Sequence, residues 1–109
     1  MLLFAGDAGL ESDADAQKFN AWLAGLPHPV KVVTFGNMDA WAAQRGAAAR
    51  RKALPAATHV LVDEFADVAG YRIFASPFTP KFFGAFQLSD AEDAGAVQPQ
   101  STRWCEVRA

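Results

Sequence analysis

The order strand, amphipathic helix, strand in the first third of the chain constrains the fold more than any other feature. Two apolar segments, residues 1–5 and 30–35, flank a stretch in which apolar side chains recur every three or four residues, which predicts a helix. The apolar positions of that helix are Ala16, Phe19, Leu23 and Leu26, with Trp22 beside them. This order predicts two parallel strands joined by a right-handed crossover, so we expect an α/β fold.

The middle of the chain extends this pattern and then adds a hairpin. Residues 39–54 are rich in Ala and predict a second helix, which Gly46 weakens by about 1 kcal/mol relative to Ala and which Pro55 ends. Residues 59–62 predict a third buried strand. Two further apolar segments, residues 65–68 and 71–75, flank Ala69-Gly70 and predict a β-hairpin.

These elements predict one small α/β domain over residues 1–88, with a partly parallel sheet from a βαβαβ core plus a β-hairpin. The apolar segment of residues 81–88 is a further candidate strand. Residues 89–109 are polar and rich in small side chains, so we expect a weakly structured segment or one docked by Trp104. Within it, residues 90–97 could form a short helix.

Composition and charge exclude several classes of function. The chain has 109 residues and a net charge of −2, so no overall positive field favours nucleic acid or an acidic membrane surface. The cations Arg45, Arg50, Arg51 and Lys52 cluster late in the predicted second helix, where positive charge suits the helix dipole. The single cysteine, Cys105, permits no intrachain disulfide, and no apolar run approaches the ~20 residues that cross a bilayer. We expect a cytoplasmic protein that binds neither nucleic acid nor membrane.

Three stretches of the sequence, LLFAGD, FNAWLAGLPHPVKVVTFGNMD and GYRIFASPFTP, carry a resemblance that spans residues 2–88. They resemble the calcineurin-like metallophosphoesterases, in particular the subgroup of small metallophosphoesterase-domain proteins. In that family a strand ends in H-A-G-D, a helix carries F-x-x-W-L-x-x-L-P, a strand ends in G-N-H-D or G-N-H-E, and a hairpin ends in Y-G-S-P-W-x-P. The resemblance implies part of the family's two-sheet α/β sandwich.

The resemblance also implies a binuclear metal centre at the carboxyl ends of the strands. In the family, the Asp of the G-D motif bridges two metals and the Asn of G-N-H-D ligates one of them. By position, Asp7 would be the bridging carboxylate and Asn37 the amide ligand. Such a centre, holding Mn²⁺, Mg²⁺ or another divalent ion, would clamp the attacking and leaving oxygens of a phosphoester. On the residues alone, Asp7 suits a turn or a helix cap, and Asn37 suits a left-handed turn without any ligand.

The sequence departs from the family pattern at positions that carry the chemistry. Met38 occupies the family's catalytic His position, and a thioether has no proton to give to a leaving group. Phe4 replaces the His before A-G-D, and the family's D-x-H, T-H-G-P and G-H-x-H motifs do not occur. His28 falls in a loop between two prolines, and His59 falls at the start of a strand, so we expect neither to be a metal ligand.

Three other groups have structural interpretations. We expect Asp39 to cap the second helix, and Ser76, before a proline in a loop, to be structural rather than nucleophilic. We expect Trp22 to lie in the core with Phe19 and Leu23. Part of the aromatic group Phe78, Phe82, Phe83 and Phe86 is expected to be exposed, because the sequence lacks the strands on which such residues pack in the family.

Two functions from different classes remain. The first is a degenerate metallophosphoesterase-like protein without hydrolytic activity or a bound cofactor, which serves as an oligomerising or binding module. It predicts a homodimer through an exposed strand edge and through residues 78–88, with Phe78 and Leu88 at the ends of that region, because we expect the family's first strand and second sheet to be lost. The alternative is a metal-dependent phosphoesterase whose binuclear site, at Asp7 and Asn37, is incomplete or completed by a partner.

Overall fold

The computed structural model describes residues 1–80 and 83–88, together with the backbone of residues 106–108. The strands are β1 (Leu2–Phe4), β2 (Lys31–Val33), β3 (His59–Val60), β4 (Glu64–Val68), β5 (Tyr71–Ala75) and β6 (Glu106–Arg108). The helices are α1 (Asp13–Ala24), α2 (Ala40–Ala43) and α3 (Ala47–Ala53). None of these helices has the length and apolarity that a membrane span requires.

The parallel sheet confirms the predicted βαβαβ core. Its strand order is β1-β2-β3, and both pairs are parallel, with Phe4 opposite Val33 and Val33 opposite Val60. The side chains of Val33 and Val60 face the helices, where they join the larger hydrophobic core. All three strands therefore end at the same edge of the sheet, and the turns that follow them are neighbours.

Helix α1 covers one face of this sheet. It begins after Ser12, whose hydroxyl accepts a hydrogen bond from the backbone N–H of Asp15 at 3.2 Å and so caps the helix. Phe19 and Leu23 are buried against the sheet, as expected. Trp22 was expected in the core, but this prediction is wrong, because 50% of its surface is exposed and only one side of the ring packs on Phe19.

The prediction of a single helix over residues 39–54 is wrong in one respect, because this segment forms two helices, α2 and α3. Gly46 interrupts it with an extended backbone (φ −78°, ψ 170°) and becomes the N-cap of α3. The carbonyl of Ala42 near the end of α2 accepts a hydrogen bond from Nε of Arg50 at 2.7 Å. A side chain from the second segment thus satisfies a carbonyl at the end of the first, which supports the break.

A second sheet packs on the other face of the parallel sheet, which corrects the expectation that this layer is lost. Its order is β4-β5-β6, with both pairs antiparallel. A smaller core lies between the layers and contains Val32, Leu61, Val68, Ile73 and Ala75. The hairpin between β4 and β5 turns at Ala69 and Gly70, which have φ of 51° and 85°, as the sequence predicts.

The described part of the segment 81–88 is not a strand, contrary to the candidate assignment. Gly84 and Phe86 adopt positive φ of 86° and 52°, which breaks the extended backbone that a strand needs. Phe86 is buried and its ring stacks on Phe35 with centroids 6.4 Å apart, whereas Phe83 is 54% exposed. The aromatic region, by which we mean the described residues Phe78, Phe83 and Phe86, is therefore mostly turned inward, and Phe83 is its exposed member.

The remaining sequence predictions at the carboxyl end concern residues outside the described ranges. These are the short helix over residues 90–97, the docking of Trp104, the single thiol of Cys105 and the position of Phe82. The backbone of β6 pairs with β5, with Val107 opposite Ile73. The segment 89–109 thus contributes one strand to the second sheet.

Candidate functional site

The turns that follow β1 and β2 contact each other at the carboxyl edge of the parallel sheet. Asp7 adopts a left-handed backbone (φ 60°), and its Oδ1 accepts a hydrogen bond from the backbone N–H of Met38 at 3.2 Å. The side chain of Asp7 is exposed, and Asn37 is half-buried one residue before Met38. The structure thus brings together the two residues that the resemblance assigns as metal ligands.

Two glycines allow this close approach. A Cβ on Gly6 would lie 2.5 Å from the carbonyl oxygen of Phe35, and Gly6 also has a positive φ of 106°. A Cβ on Gly36 would lie 2.1 Å from Oδ1 of Asp7. Both distances are shorter than a carbon and an oxygen can tolerate. At Gly6 the obstacle is backbone, so that turn needs glycine, whereas at Gly36 the Asp7 side chain would have to move.

The carboxylate of Asp39 is the centre of both turns. It is fully buried, and four backbone N–H groups donate to it. Oδ2 accepts from Gly36 at 2.9 Å, from Asp7 at 3.0 Å and from Ala8 at 3.3 Å. Oδ1 accepts from Leu10 at 2.9 Å. One side chain therefore satisfies donors from the turn after β1 and from the turn after β2.

The expectation that Asp39 caps the second helix is confirmed for its backbone, while its carboxylate has a different role. Asp39 does occupy the N-cap position of α2, and its carbonyl accepts from the N–H of Ala42 at 3.0 Å. Its carboxylate, however, makes no cap hydrogen bond to α2. Sequence reasoning missed the role because the four donors lie 3 to 32 residues away. The signal in the sequence was the pair of glycines, Gly6 and Gly36. They indicate two tight turns whose backbone N–H groups require an acceptor.

Asn37 holds the segment of residues 83–85 against the turn. Its side-chain Nδ2 donates to the carbonyl of Phe83 at 3.3 Å, and its own carbonyl accepts from the N–H of Ala85 at 2.8 Å. A Cβ on Gly84 would lie 2.4 Å from that carbonyl oxygen, so the contact is close. The amide nitrogen at the family's ligand position is therefore engaged with the chain's own backbone, whereas Oδ1, the atom that would ligate a metal, makes neither of these contacts.

Met38 lies at the surface beside an open groove of about 410 Å³. Its side chain is 46% exposed, and Phe83 lines the opposite side of the groove. Glu11 is the ionisable group among the described lining residues, and none of those residues is basic. The groove therefore offers apolar surface and one carboxylate, whereas a phosphate group is bound best by cations and N–H donors.

The donor set does not fit a binuclear metal centre. Within residues 1–80 and 83–88, no group of three or more His, Cys, Asp or Glu side chains converges. His59 lies at the start of β3, at the opposite end of the sheet from the turns, and its Nδ1 lies 3.1 Å from the hydroxyl of Thr58. Asp7 and Asn37 leave two oxygen-bearing side chains, whereas each hard divalent cation takes about six ligands. No reaction step through a metal follows from these residues.

The basic cluster contributes to helix packing rather than to this groove. Arg45 forms an ion pair with Asp13 at 3.0 Å, and the indole N–H of Trp41 donates to the same carboxylate oxygen at 2.7 Å. The hydrogen bond from Trp41, together with the charge of Arg45, holds the pKa of Asp13 below its ordinary value. The guanidinium of Arg50 lies over the ring of Phe86, and burial lowers the pKa of Arg50.

The other two candidates occupy structural positions. Ser76 is buried, and its hydroxyl accepts from the backbone N–H of Phe78 at 3.3 Å, which makes a local turn. His28 has a buried Nδ1 with no hydrogen-bond partner. It lies in the loop between α1 and β2, at the amino end of the sheet. Neither residue reaches the turns at Asp7 and Asn37.

Comparison with known proteins adds no relative to this picture. No protein-family model matches the sequence, and no curated protein matches it either. The resemblance to the metallophosphoesterases therefore stays a prediction.

Proposed function

We propose that the chain is a cytoplasmic, metallophosphoesterase-like α/β protein without hydrolytic activity, which acts as a binding or self-associating module. The single observation that supports this most is the use of the motif residues in internal contacts. Asp7 accepts from the N–H of Met38, Asn37 donates to the carbonyl of Phe83, and Asp39 is enclosed by four N–H groups. The same turns that would hold metals in the family hold the chain together here.

The residue at the catalytic His position supports the same proposal. Met38 is exposed at the mouth of the groove, where a general acid would have to meet a leaving group. A thioether can neither donate a proton nor stabilise a developing negative charge on oxygen. Loss of a single general acid typically costs about 10²- to 10⁴-fold in rate.

The charge around the groove also disfavours a phosphoester. Glu11 lines the groove, and the basic side chains Arg45 and Arg50 are committed to Asp13 and to the carbonyl of Ala42. A phosphate dianion in this groove would meet a carboxylate before it met a cation, and that repulsion is unfavourable. An apolar or uncharged partner fits the surface better.

The second candidate is a metal-dependent phosphoesterase with a partner-completed site. It is favoured by one observation, the exposed side chain of Asp7 beside a groove open to solvent. In this case a second chain would supply the missing ligands and the proton donor. Asp7 would then be required for activity although it contributes little to the fold.

Hydrolysis of an aryl phosphate in the presence of Mn²⁺ separates the two candidates. We expect no turnover above the buffer rate from the wild-type chain, and none from Met38→His, because one imidazole does not supply the missing ligands. Asp7→Asn serves as the matched control for contaminating phosphatases. Turnover by the wild type that Asp7→Asn abolishes would overturn the first proposal and establish the second.

Metal content gives an independent test. Protein purified without chelator and then equilibrated with Mn²⁺ is expected to hold much less than one ion per chain. Two bound ions per chain, lost in Asp7→Asn, would contradict the observation that too few metal-ligating side chains converge at Asp7 and Asn37 among the described residues. Protein that binds two ions per chain but shows no turnover would still contradict the conclusion that these side chains do not hold a binuclear metal centre.

A further inference from the structure

The outer edge of β1 is an open sheet edge with exposed apolar side chains around it. Leu2 donates its N–H to the carbonyl of Val30, and the carbonyl of Phe4 accepts from Thr34, so these two residues bond toward β2. Successive residues of a strand direct their backbone groups to opposite sides. The N–H and C=O of Leu3 therefore face away from the sheet, and among the described residues no strand pairs with that side.

Apolar side chains lie on both faces of this edge. Leu3 points to the same face as its register partner Val32, yet Val32 is buried and Leu3 is 37% exposed, because the second sheet covers β2 and stops short of β1. On the other face Trp22 lies over β1, with its ring 6.0 Å from the ring of Phe4, and half of its surface is exposed. A strand added beside β1 would cover both.

The edge lacks the protection that other strands of this chain carry. β1 contains Leu2, Leu3 and Phe4, without a charge, a proline or a bulge. One of the two edge strands of the second sheet, by contrast, is β4, which carries the charges of Glu64 and Asp67. Charged residues on an edge strand discourage pairing with another chain, and an uncharged apolar edge invites it.

We propose that β1 pairs with β1 of a second copy of this chain, antiparallel and about a two-fold axis at Leu3. In that arrangement the two Leu3 residues exchange their outward N–H and C=O groups, and the parallel sheets join into one sheet of six strands. An axis perpendicular to the sheet keeps the helices of both copies on the same face. Trp22 of each copy then covers the junction on that face.

A second copy fits this edge because the edge is complementary to itself. Both strands are uncharged, so no like charges oppose each other across the axis. The register with Leu3 opposite Leu3 satisfies the outward groups of both chains at once. This proposal names the partner of the binding module proposed above and in that sense rests on it.

Sedimentation at micromolar concentrations, with paired variants, tests the proposal. We expect the wild type to be a dimer. Leu3→Pro removes the outward donor from each copy and keeps the bonds of Leu2 and Phe4 to β2, so it should weaken dimerisation about 10- to 100-fold. Tyr71→Lys is the matched control, since Tyr71 is equally exposed at the start of β5 and should leave the dimer intact.

Two further variants locate the interface and separate this inference from the proposed function. Leu3→Lys should dissociate the dimer, whereas Phe83→Lys, on the exposed aromatic region, should not. In a Cys105→Ser background, Leu3→Cys should be linked between copies by a short bifunctional maleimide and Tyr71→Cys should not.

A monomeric wild type, or a dimer that Phe83→Lys dissociates and Leu3→Lys does not, overturns the inference and leaves the hydrolysis result untouched. Hydrolysis by an intact dimer overturns the function and leaves this edge pairing in place.

Discussion

The buried centre and the exposed rim of the same turn cluster use their carboxylates in opposite ways. At the centre, Asp39 is fully buried and accepts four backbone hydrogen bonds. At the rim, Asp7 is exposed and accepts one, from Met38. The two carboxyl groups belong to adjacent turns, yet one organises the fold and the other contributes little to it.

This difference shows where the chain has freedom to change. Hydrogen bonds to a buried charge are strong and leave costly unpaired donors when they are lost, so the centre tolerates little substitution. At the rim, water can replace a lost partner at little cost. We infer that side chains at the rim can be substituted without loss of the fold.

The largest effect is expected from Asp39→Asn, which keeps the shape of the side chain and removes its charge. The amide NH₂ group cannot accept, so at least one of the four surrounding N–H groups is left buried without a partner. We expect the free energy of unfolding to fall by at least about 2 kcal/mol. Urea unfolding followed by circular dichroism, at one fixed protein concentration, measures it. A loss below about 0.5 kcal/mol would show that the centre is not structural.

A smaller effect is expected from Gly36→Ala, which connects the centre with the rim. The added methyl group would lie 2.1 Å from Oδ1 of Asp7, so the Asp7 side chain must move. We expect a loss of about 1–3 kcal/mol in the free energy of unfolding. In an Asp7→Gly background the same substitution should cost less, and the double-mutant cycle gives the coupling between the two turns. Equal costs in both backgrounds would contradict the observed contact.

Asp7→Asn is the matched partner of Asp39→Asn and should have a much smaller effect. Asn keeps the left-handed backbone that Asp7 adopts, and its amide oxygen can still accept from the N–H of Met38, so the exposed side chain loses only its charge. The expected change in the free energy of unfolding is below about 0.5 kcal/mol, read from the same urea titration. A loss as large as that of Asp39→Asn would erase the distinction between centre and rim.

The smallest effect concerns Asp13, an exposed carboxylate that has partners but no burial. The hydrogen bond from Trp41 and the charge of Arg45 hold its pKa below the ordinary value of 3.8. Its contribution to stability is therefore present above that value and is lost as the pH falls through the lowered pKa of the folded state. The difference in urea midpoint between wild type and Asp13→Asn should shrink on acidification below about pH 4. A difference that grows in acid would reverse the assigned direction.

The parallel core was predictable from the sequence because its signals are local. The apolar runs of β1 and β2, the helical spacing between them and the cap at Ser12 all depend on residues within one turn or one strand. The hairpin at Ala69-Gly70 is local in the same sense. The break at Gly46 was not predicted, because a glycine lowers helix stability whether the helix continues through it or ends there. The carbonyl of Ala42, which accepts from Arg50, favours the broken helix over the continuous one.

The positions of Asp7 and Asn37 in adjacent turns agree with what the resemblance implied. What the sequence left undetermined was the use of each group. Asp39 was expected to cap a helix, which it does, but the role of its carboxylate between the two turns was not predicted. Trp22 was expected in the core, and the second sheet was expected to be lost. Each of these outcomes depends on which surfaces come to lie opposite each other, which no local pattern records.

By itself, then, the sequence determined the α/β class, the parallel pairing of the βαβαβ core and the β-hairpin that follows it. Only the tertiary structure decided that Asp39 holds together the turns after β1 and β2, that Phe86 folds inward on Phe35 and that no strand in the described part of the chain pairs with the outer edge of β1. The physical reason is that strand and helix signals come from neighbours along the chain. Burial, by contrast, and the pairing of buried polar groups depend on residues that only folding brings into contact.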